Sequence, residues 1–396
     1  MDEKGGIGMR KKKNVALTAI VSTLFCLLWV VPCSASSDFP SIVGIATIGV
    51  GTSSHTSTVA YAPLLEKELG VPVRAMPSDS TKVSFSQMRE KKALYGALST
   101  SSLGVALQGE RPYDVKGWGP QKIALLWMGY DGPFGFVVRK DSPIQSIKDL
   151  KGKKIAWYTA SPAWMGGAEG SLRFGGLTLK DVDLVNLGSY SSCARGVAEG
   201  KVDAVYVSPV SPVTFEIAQG PSGIRYLPMP LEDKQGWERY REINPLIGNG
   251  ICESGVAEAR GVPMANHIFC TTTYLDTDTN QIYLVARFFG EAYDQYKDLN
   301  PNLKDMSLKK MRALLDMRGL PVHPGTIKYL KEKNLWTSED EKWNQELLEN
   351  MNRYEKAWTE ALNEAKAKGI EVEMDNKAWI ECWDKYRTKL PQFKMR

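Results

Sequence analysis

Residues 46–64 read ATIGVGTSSHTSTVAYAPL. An apolar run ends in Gly49-Val50-Gly51, passes through Thr52-Ser53-Ser54, and enters a segment whose Tyr61, Leu64, Leu65 and Leu69 share one helical face. The pattern predicts strand, turn and helix, with free backbone N–H groups at the positive end of that helix. A nucleoside triphosphate loop would close on Gly-Lys-Ser/Thr, and no lysine stands between Ser41 and Glu66. The dinucleotide pattern GxGxxG fails at Ser54. His55 beside Ser53 and Ser54 is a poor nucleophile pair, because adjacent side chains on a turn diverge and no GxSxG elbow is present. Two readings remain, a plain helix cap and a seat for a small carboxylate.

The same alternation continues on either side. Strands are expected at Ile42 to Ile48, Val71 to Ala75 and Ala93 to Leu98, with helices at Thr56 to Leu69, Val83 to Glu90 and from Leu103 to Gln108. A second set follows: strands at Ile123 to Met128, Phe134 to Arg139, Lys154 to Tyr158, Val182 to Leu187 and Val202 to Val207, with helices at Gly167 to Phe174 and Ser191 to Glu199. This is an α/β pattern in two units without a low-complexity linker, so two lobes facing each other are expected, with the ligand between them. Residues 221–262 read as irregular with one short helix near Asp233 to Glu242. A strand at Ile268 to Tyr274, a long helix at Asp278 to Lys297, another at Leu308 to Met317, and an amphipathic helix from Ser338 to Ala367 complete the chain.

The second hydroxyl cluster, Ser99-Thr100-Ser101-Ser102, also leaves a strand for a helix, so it should emerge at the same carboxyl edge as Gly51, Thr52, Ser53 and Ser54. Thr159-Ala160-Ser161-Pro162 and Ser208-Pro209-Val210 repeat the arrangement in the second unit. Tyr158 and Trp164 flank the third cluster and suggest a ligand with a flat or apolar body.

Composition narrows the classes. The chain of 396 residues carries a formal net charge of +5, which falls to +2 without residues 1–35, too little for a nucleic-acid surface. Arg10-Lys11-Lys12-Lys13, an apolar run from Val15 to Val31 and then Cys33-Ser34-Ala35 read as a cleaved signal peptide over residues 1–35, which places the mature chain in the periplasm. The three histidines, His55, His267 and His323, sit in no metal-binding spacing, and no cofactor motif appears. An extracytoplasmic enzyme is therefore the weaker reading, and no catalytic residue is assigned. Cys252 with Cys270 is the one candidate bridge among Cys193, Cys252, Cys270 and Cys382.

VVRKDSPIQSIKDLKGKKIAWYTASPAW (residues 137–164), LKDVDLVNLGSYSSCARGVAEGKVDAVYV (179–207) and LPVHPGTIKYLKEKNLW (320–336) together resemble the TAXI-type substrate-binding proteins of TRAP transporters. The last is similar to that family's P-x-H-P-G-A-x-x-Y closing signature. The resemblance implies a two-lobe periplasmic-binding-protein (Venus flytrap) fold that closes by a hinge. It implies a first lobe of residues 38–135 plus 263–336, a second of 136–262, and a C-terminal helical extension over 337–396 without a counterpart in the family. It carries ligand contacts onto Gly51, Thr52 and Ser53, Ser99 and Ser101, Tyr158 to Ser161, and Ser208 and Pro209; the residue reading adds Ser54, Ser102 and Trp164. The loop YTASPAWMGG departs from the family's G-x-x-G-S-G and weighs against a small amino acid such as glutamate.

The expected function is that of a monomeric receptor that delivers a small organic anion to the permease subunits of an ion-gradient-driven transporter. The alternatives are the receptor of an ATP-driven importer for a sulfonate or related anion, and a sensory or scaffold protein whose C-terminal helices dock a partner.

Overall fold

The computed structural model describes residues 39–394 except 160 and 316–318; the expected signal peptide lies outside them. In the first unit β1 (Val43–Ile48), α1 (Ser53–Leu69), β2 (Val73–Ser78), α2 (Thr81–Arg89), β3 (Tyr95–Ser99) and α3 (Thr100–Leu107) alternate as expected. β1 pairs in parallel with β2 and β3. Then comes β4 (Ile123–Arg139), one continuous strand where two were expected. Gly129, Gly132 and Pro133, between the two expected strands, lie within it, paired to the neighbouring strand or next to residues that are.

The second unit contains β5 (Lys154–Trp157), α4 (Pro162–Phe174), β6 (Asp183–Asn186), α5 (Tyr190–Ala198), β7 (Ala204–Val207), α6 (Pro212–Gln219), β8 (Ile224–Tyr226), α7 (Lys234–Ile243) and β9 (Gly248–Ile251). The chain returns along β10 (Pro263–Tyr274) and ends in helices α8 (Thr279–Glu291), α9 (Tyr293–Tyr296), α10 (Leu308–Leu315), α11 (Pro324–Glu332), α12 (Ser338–Ala367) and α13 (Lys377–Arg387).

The strand order is β2-β1-β3-β10-β4-β7-β5-β6, with β8 on β4 and β9 on β10. The two long antiparallel strands, β4 and β10, tie everything together. The first part of β4 pairs with β10, which pairs with β3. Its last residues, Gly135 to Val138, pair with β7 instead. Two hydrophobic cores result. One gathers Val43, Leu98, Trp127, Phe289 and Tyr329, the other Phe136, Ile155, Leu172, Val205 and Trp237. The fold is thus a two-lobe α/β architecture with a C-terminal helical extension, and Trp343, Trp358, Trp379 and Trp383 of that extension belong to the first core.

Two expectations are corrected. The long helix over 278–297 is broken at Ala292. There the Tyr296 hydroxyl donates to the Phe289 carbonyl at 2.7 Å, an acceptor that a continuous helix would use for the N–H of residue 293. The Cys252–Cys270 bridge does not form; the four cysteines among the described residues are free and buried. The Cys252 N–H donates to the Val262 carbonyl at 2.9 Å, so Cys252 lies beside the start of β10. Cys270 is eight residues further on, ~26 Å at about 3.3 Å per strand residue. Among the described residues no helix is long and apolar enough to cross a membrane.

Candidate functional site

Four helices begin at the wall of one cavity. Thr52 caps α1, its Oγ1 accepting from the His55 N–H at 3.3 Å while it donates to the Gly49 carbonyl at 2.8 Å. Ser99 precedes α3, Ser161 caps α4 by accepting from the Trp164 N–H at 3.3 Å, and Ser211 precedes α6. Each cap follows a strand end or the loop leaving it, so helix N-termini from both cores converge, and their partial positive charges sum in the cavity.

The cavity, of about 90 Å³, is lined by Thr52, Ser53, Ser99, Ser102, Tyr158, Ser161, Trp164 and Ser208 among the residues expected from the sequence. Its other lining residues are Ile48, Asp79, Phe134, Ala163, Tyr190, Ser211, His267 and Phe269. Gly51, Ser54, Ser101, Thr159 and Pro209 stand outside the lining. Gly51 supplies the turn, with φ +83. Ser54 fastens α1 to the sheet, donating to the Ala97 carbonyl at 2.6 Å and accepting from the Ile48 N–H at 3.3 Å. Pro209 accepts from the Val256 N–H at 3.1 Å. Thr159 is exposed.

Ser101 has a different role. Its Oγ lies 2.7 Å from His267 Nδ1, and His267 Nε2 lies 2.6 Å from the Tyr206 hydroxyl. The imidazole on β10 thus joins α3, built on the first core, to β7 in the second. Burial lowers the His267 pKa from 6.5 to about 3, so the ring is neutral and too weak a base to activate the serine. Ser101 with His267 is therefore a structural pair rather than a catalytic one. Phe134 packs on the imidazole with ring centroids 4.7 Å apart.

The chemistry available to a bound molecule follows from hydrogen-bond capacity. Ser161 accepts from backbone and Ser208 weakly does so, leaving each hydroxyl proton free to donate. The Ser99 and Ser102 hydroxyls share one bond at 3.2 Å. Tyr190 accepts from the Ser208 N–H at 2.9 Å and holds Ser211 at 2.9 Å, fixing the α6 end. Tyr158 reaches across the cavity, its hydroxyl donating to the Asp79 carbonyl at 3.3 Å. Phe134, Trp164 and Phe269 supply the apolar wall. The arrangement offers neutral donors and helix ends to an anion, and aromatic faces to its remainder. Among the described residues no cluster of metal-ligating side chains occurs.

His323, in the most specific of the family-like segments, lies away from this cavity. Its Nδ1 accepts from the Gly325 N–H at 3.1 Å and caps α11, while Gly325 lets α11 press on α8: a Cβ there would come within 2.4 Å of the Thr279 carbonyl oxygen. In this chain His323 and Gly325 thus serve the start and the packing of α11.

Three solved structures are similar to this chain at low identity. An amino acid ABC transporter substrate-binding protein from Streptococcus pneumoniae, bound to L-arginine, is 13% identical with a TM-score of 0.42, over 67% of this chain and 94% of that one. The periplasmic aliphatic sulphonate binding protein of Escherichia coli is 15% identical with a TM-score of 0.39, over 70% and 79%. A periplasmic domain of a Bordetella pertussis protein is 14% identical with a TM-score of 0.41, over 67% and 93%. The sequence itself matches one family along residues 45–333, from β1 to the end of α11, and on that match the chain belongs to the NMT1-like family.

Proposed function

We propose that this protein is an extracytoplasmic solute receptor that captures a small carboxylate-bearing organic molecule between two lobes and delivers it to a membrane permease. The lobes are residues 38–135 with 263–336, and 136–262. The observation that carries the reading is the convergence of four helix starts, two from each lobe and two of them capped by Thr52 and Ser161, on one aromatic-walled cavity. A molecule seated there bridges both lobes and holds them closed, which is how a receptor signals its loaded state to a permease. The resemblance of the family-like segments supports a TRAP-type, ion-gradient-driven permease as the recipient. The seat consists of neutral donors, which suit a sulfonate as well as a carboxylate, so the receptor of an ATP-driven importer is the second reading. The neighbouring genes separate them: a multi-span permease gene supports the first, an ATPase subunit the second.

Thermal melting and intrinsic tryptophan fluorescence across a panel of organic acids and sulfonates test the proposal. A true ligand at about 100 times its Kd stabilises the folded state by about 2.7 kcal/mol, which raises the melting temperature by several degrees. A panel without any stabilising compound contradicts the receptor reading.

A further inference from the structure

The cavity holds one formal charge among its described lining residues, the carboxylate of Asp79, and no lysine or arginine. Asp79 follows the last residue of β2 and is exposed. Its Oδ1 lies against Gly49: a Cβ on that glycine would come within 2.0 Å of it. The carboxylate has no hydrogen-bond or ion-pair partner among the described residues, while its backbone carbonyl takes the Tyr158 hydroxyl. The Tyr158 pKa is raised to about 12 by burial and by the nearby Asp79 charge, so this hydroxyl stays protonated.

That placement divides the cavity. The Asp79 carboxylate borders Gly49 in the turn that leads into α1, so an anion drawn to the start of α1 approaches a like charge and is repelled. The starts of α3, α4 and α6 have no acid beside them in the lining. A cation at Asp79 would meet a carboxylate, with Tyr158 beside it. A second carboxylate on the solute would find no cationic side chain.

We infer that the solute is a zwitterion with one carboxylate, one ammonium and an apolar or aromatic remainder. This rests on the receptor reading proposed above. The carboxylate sits on the starts of α3, α4 and α6, the ammonium at Asp79 beside Tyr158, and the remainder against Phe134, Trp164 and Phe269. The loop sequence YTASPAWMGG weighed against a small amino acid such as glutamate; the unaccompanied Asp79 gives a charge-based reason against an acidic side chain, and the aromatic wall favours amino acids with a larger apolar remainder.

Isothermal titration of the full chain with the apolar amino acids, L-leucine and L-phenylalanine among them, with their deamino counterparts such as 4-methylpentanoate and 3-phenylpropanoate, and with L-glutamate tests this. An amino acid should bind at least tenfold more tightly than its deamino counterpart and than glutamate, and Asp79→Asn should remove that preference while leaving the deamino acid's affinity unchanged or improved. Asp79 is exposed, so the variant retains the wild-type melting temperature. Deamino acids that bind as tightly as amino acids, or a preference that survives Asp79→Asn, overturn the zwitterion and leave the carboxylate receptor standing. Binding by neither set overturns both.

Discussion

His267 is 3% exposed and uses both ring nitrogens, so its removal leaves Ser101 and Tyr206 without a partner in a buried place. His267→Leu should cost about 1–3 kcal/mol of unfolding free energy, measured in urea. Its titration gives a second expectation. Burial lowers its pKa to about 3 in the folded protein and that of His323 to about 4, against 6.5 when unfolded. The unfolded chain therefore binds more protons below pH 6.5, and stability falls as pH drops through the window from 6.5 toward 3–4. The slope reaches ~1.4 kcal/mol per pH unit for each ring. His267→Gln should flatten this acid limb in a pH series of thermal melts, and an unchanged slope contradicts a buried neutral ring. Neither role was legible in the sequence, where His267 belongs to no motif; its partners, Ser101 and Tyr206, lie 166 and 61 residues away. Asp79 was missed for a local reason. The expected strand stopped at Ala75, whereas β2 continues through Pro77 to Ser78, because it lies at the sheet edge, where proline is tolerated.

The elements that were legible are those with a chemical start signal. Helix α12 runs from Ser338 to Ala367, as its apolar stripe predicts, and opens with a capping box in which Thr337 and Asp340 satisfy each other's backbone N–H. Helices α1 and α4 begin three and five residues earlier than expected, because Thr52 and Ser161 cap them ahead of the apolar periodicity. That shift brings Ser53 and Ala163 into the cavity wall as first-turn residues. Contacts between distant elements left no such signal. Gly119, at φ +90, lies under the Trp358 indole, and a Cβ there would come within 2.5 Å of the ring. Gly119→Ala should therefore cost at least about 1–3 kcal/mol through backbone strain and displacement of α12, measured by denaturant unfolding.

In the molecule as a whole, the extension over 337–396 has no counterpart in the resembling family, and one alternative reading had its helices dock a partner. It is built into the first core. The Trp379 indole donates to the Asp114 carbonyl at 2.6 Å, the Trp383 indole to the Gly109 carbonyl at 2.9 Å, and the Val322 N–H to Asn344 Oδ1 at 2.7 Å. Deleting residues 340–396 should abolish cooperative melting followed by circular dichroism, because large apolar side chains and their backbone partners are uncovered together. A truncated chain that melts cooperatively and retains ligand affinity would instead mark the extension as a separable arm. Alternation and hydroxyl-rich helix starts made the α/β pattern and half of the cavity wall readable in advance. The other half, including Phe134, Tyr190, His267 and Phe269, comes from long strands and later helices that only the folded chain brings together.

One solute is expected to occupy the cavity where the four helix starts meet. A crystal structure of the protein grown with the compound that most raises its melting temperature tests it most directly. Solute density is expected between Phe134 and Trp164, with an anionic group within hydrogen-bond distance of hydroxyls at Ser99, Ser102, Ser161 or Ser208. Density for that compound at any other place on the molecule, with water alone in this cavity, would contradict it.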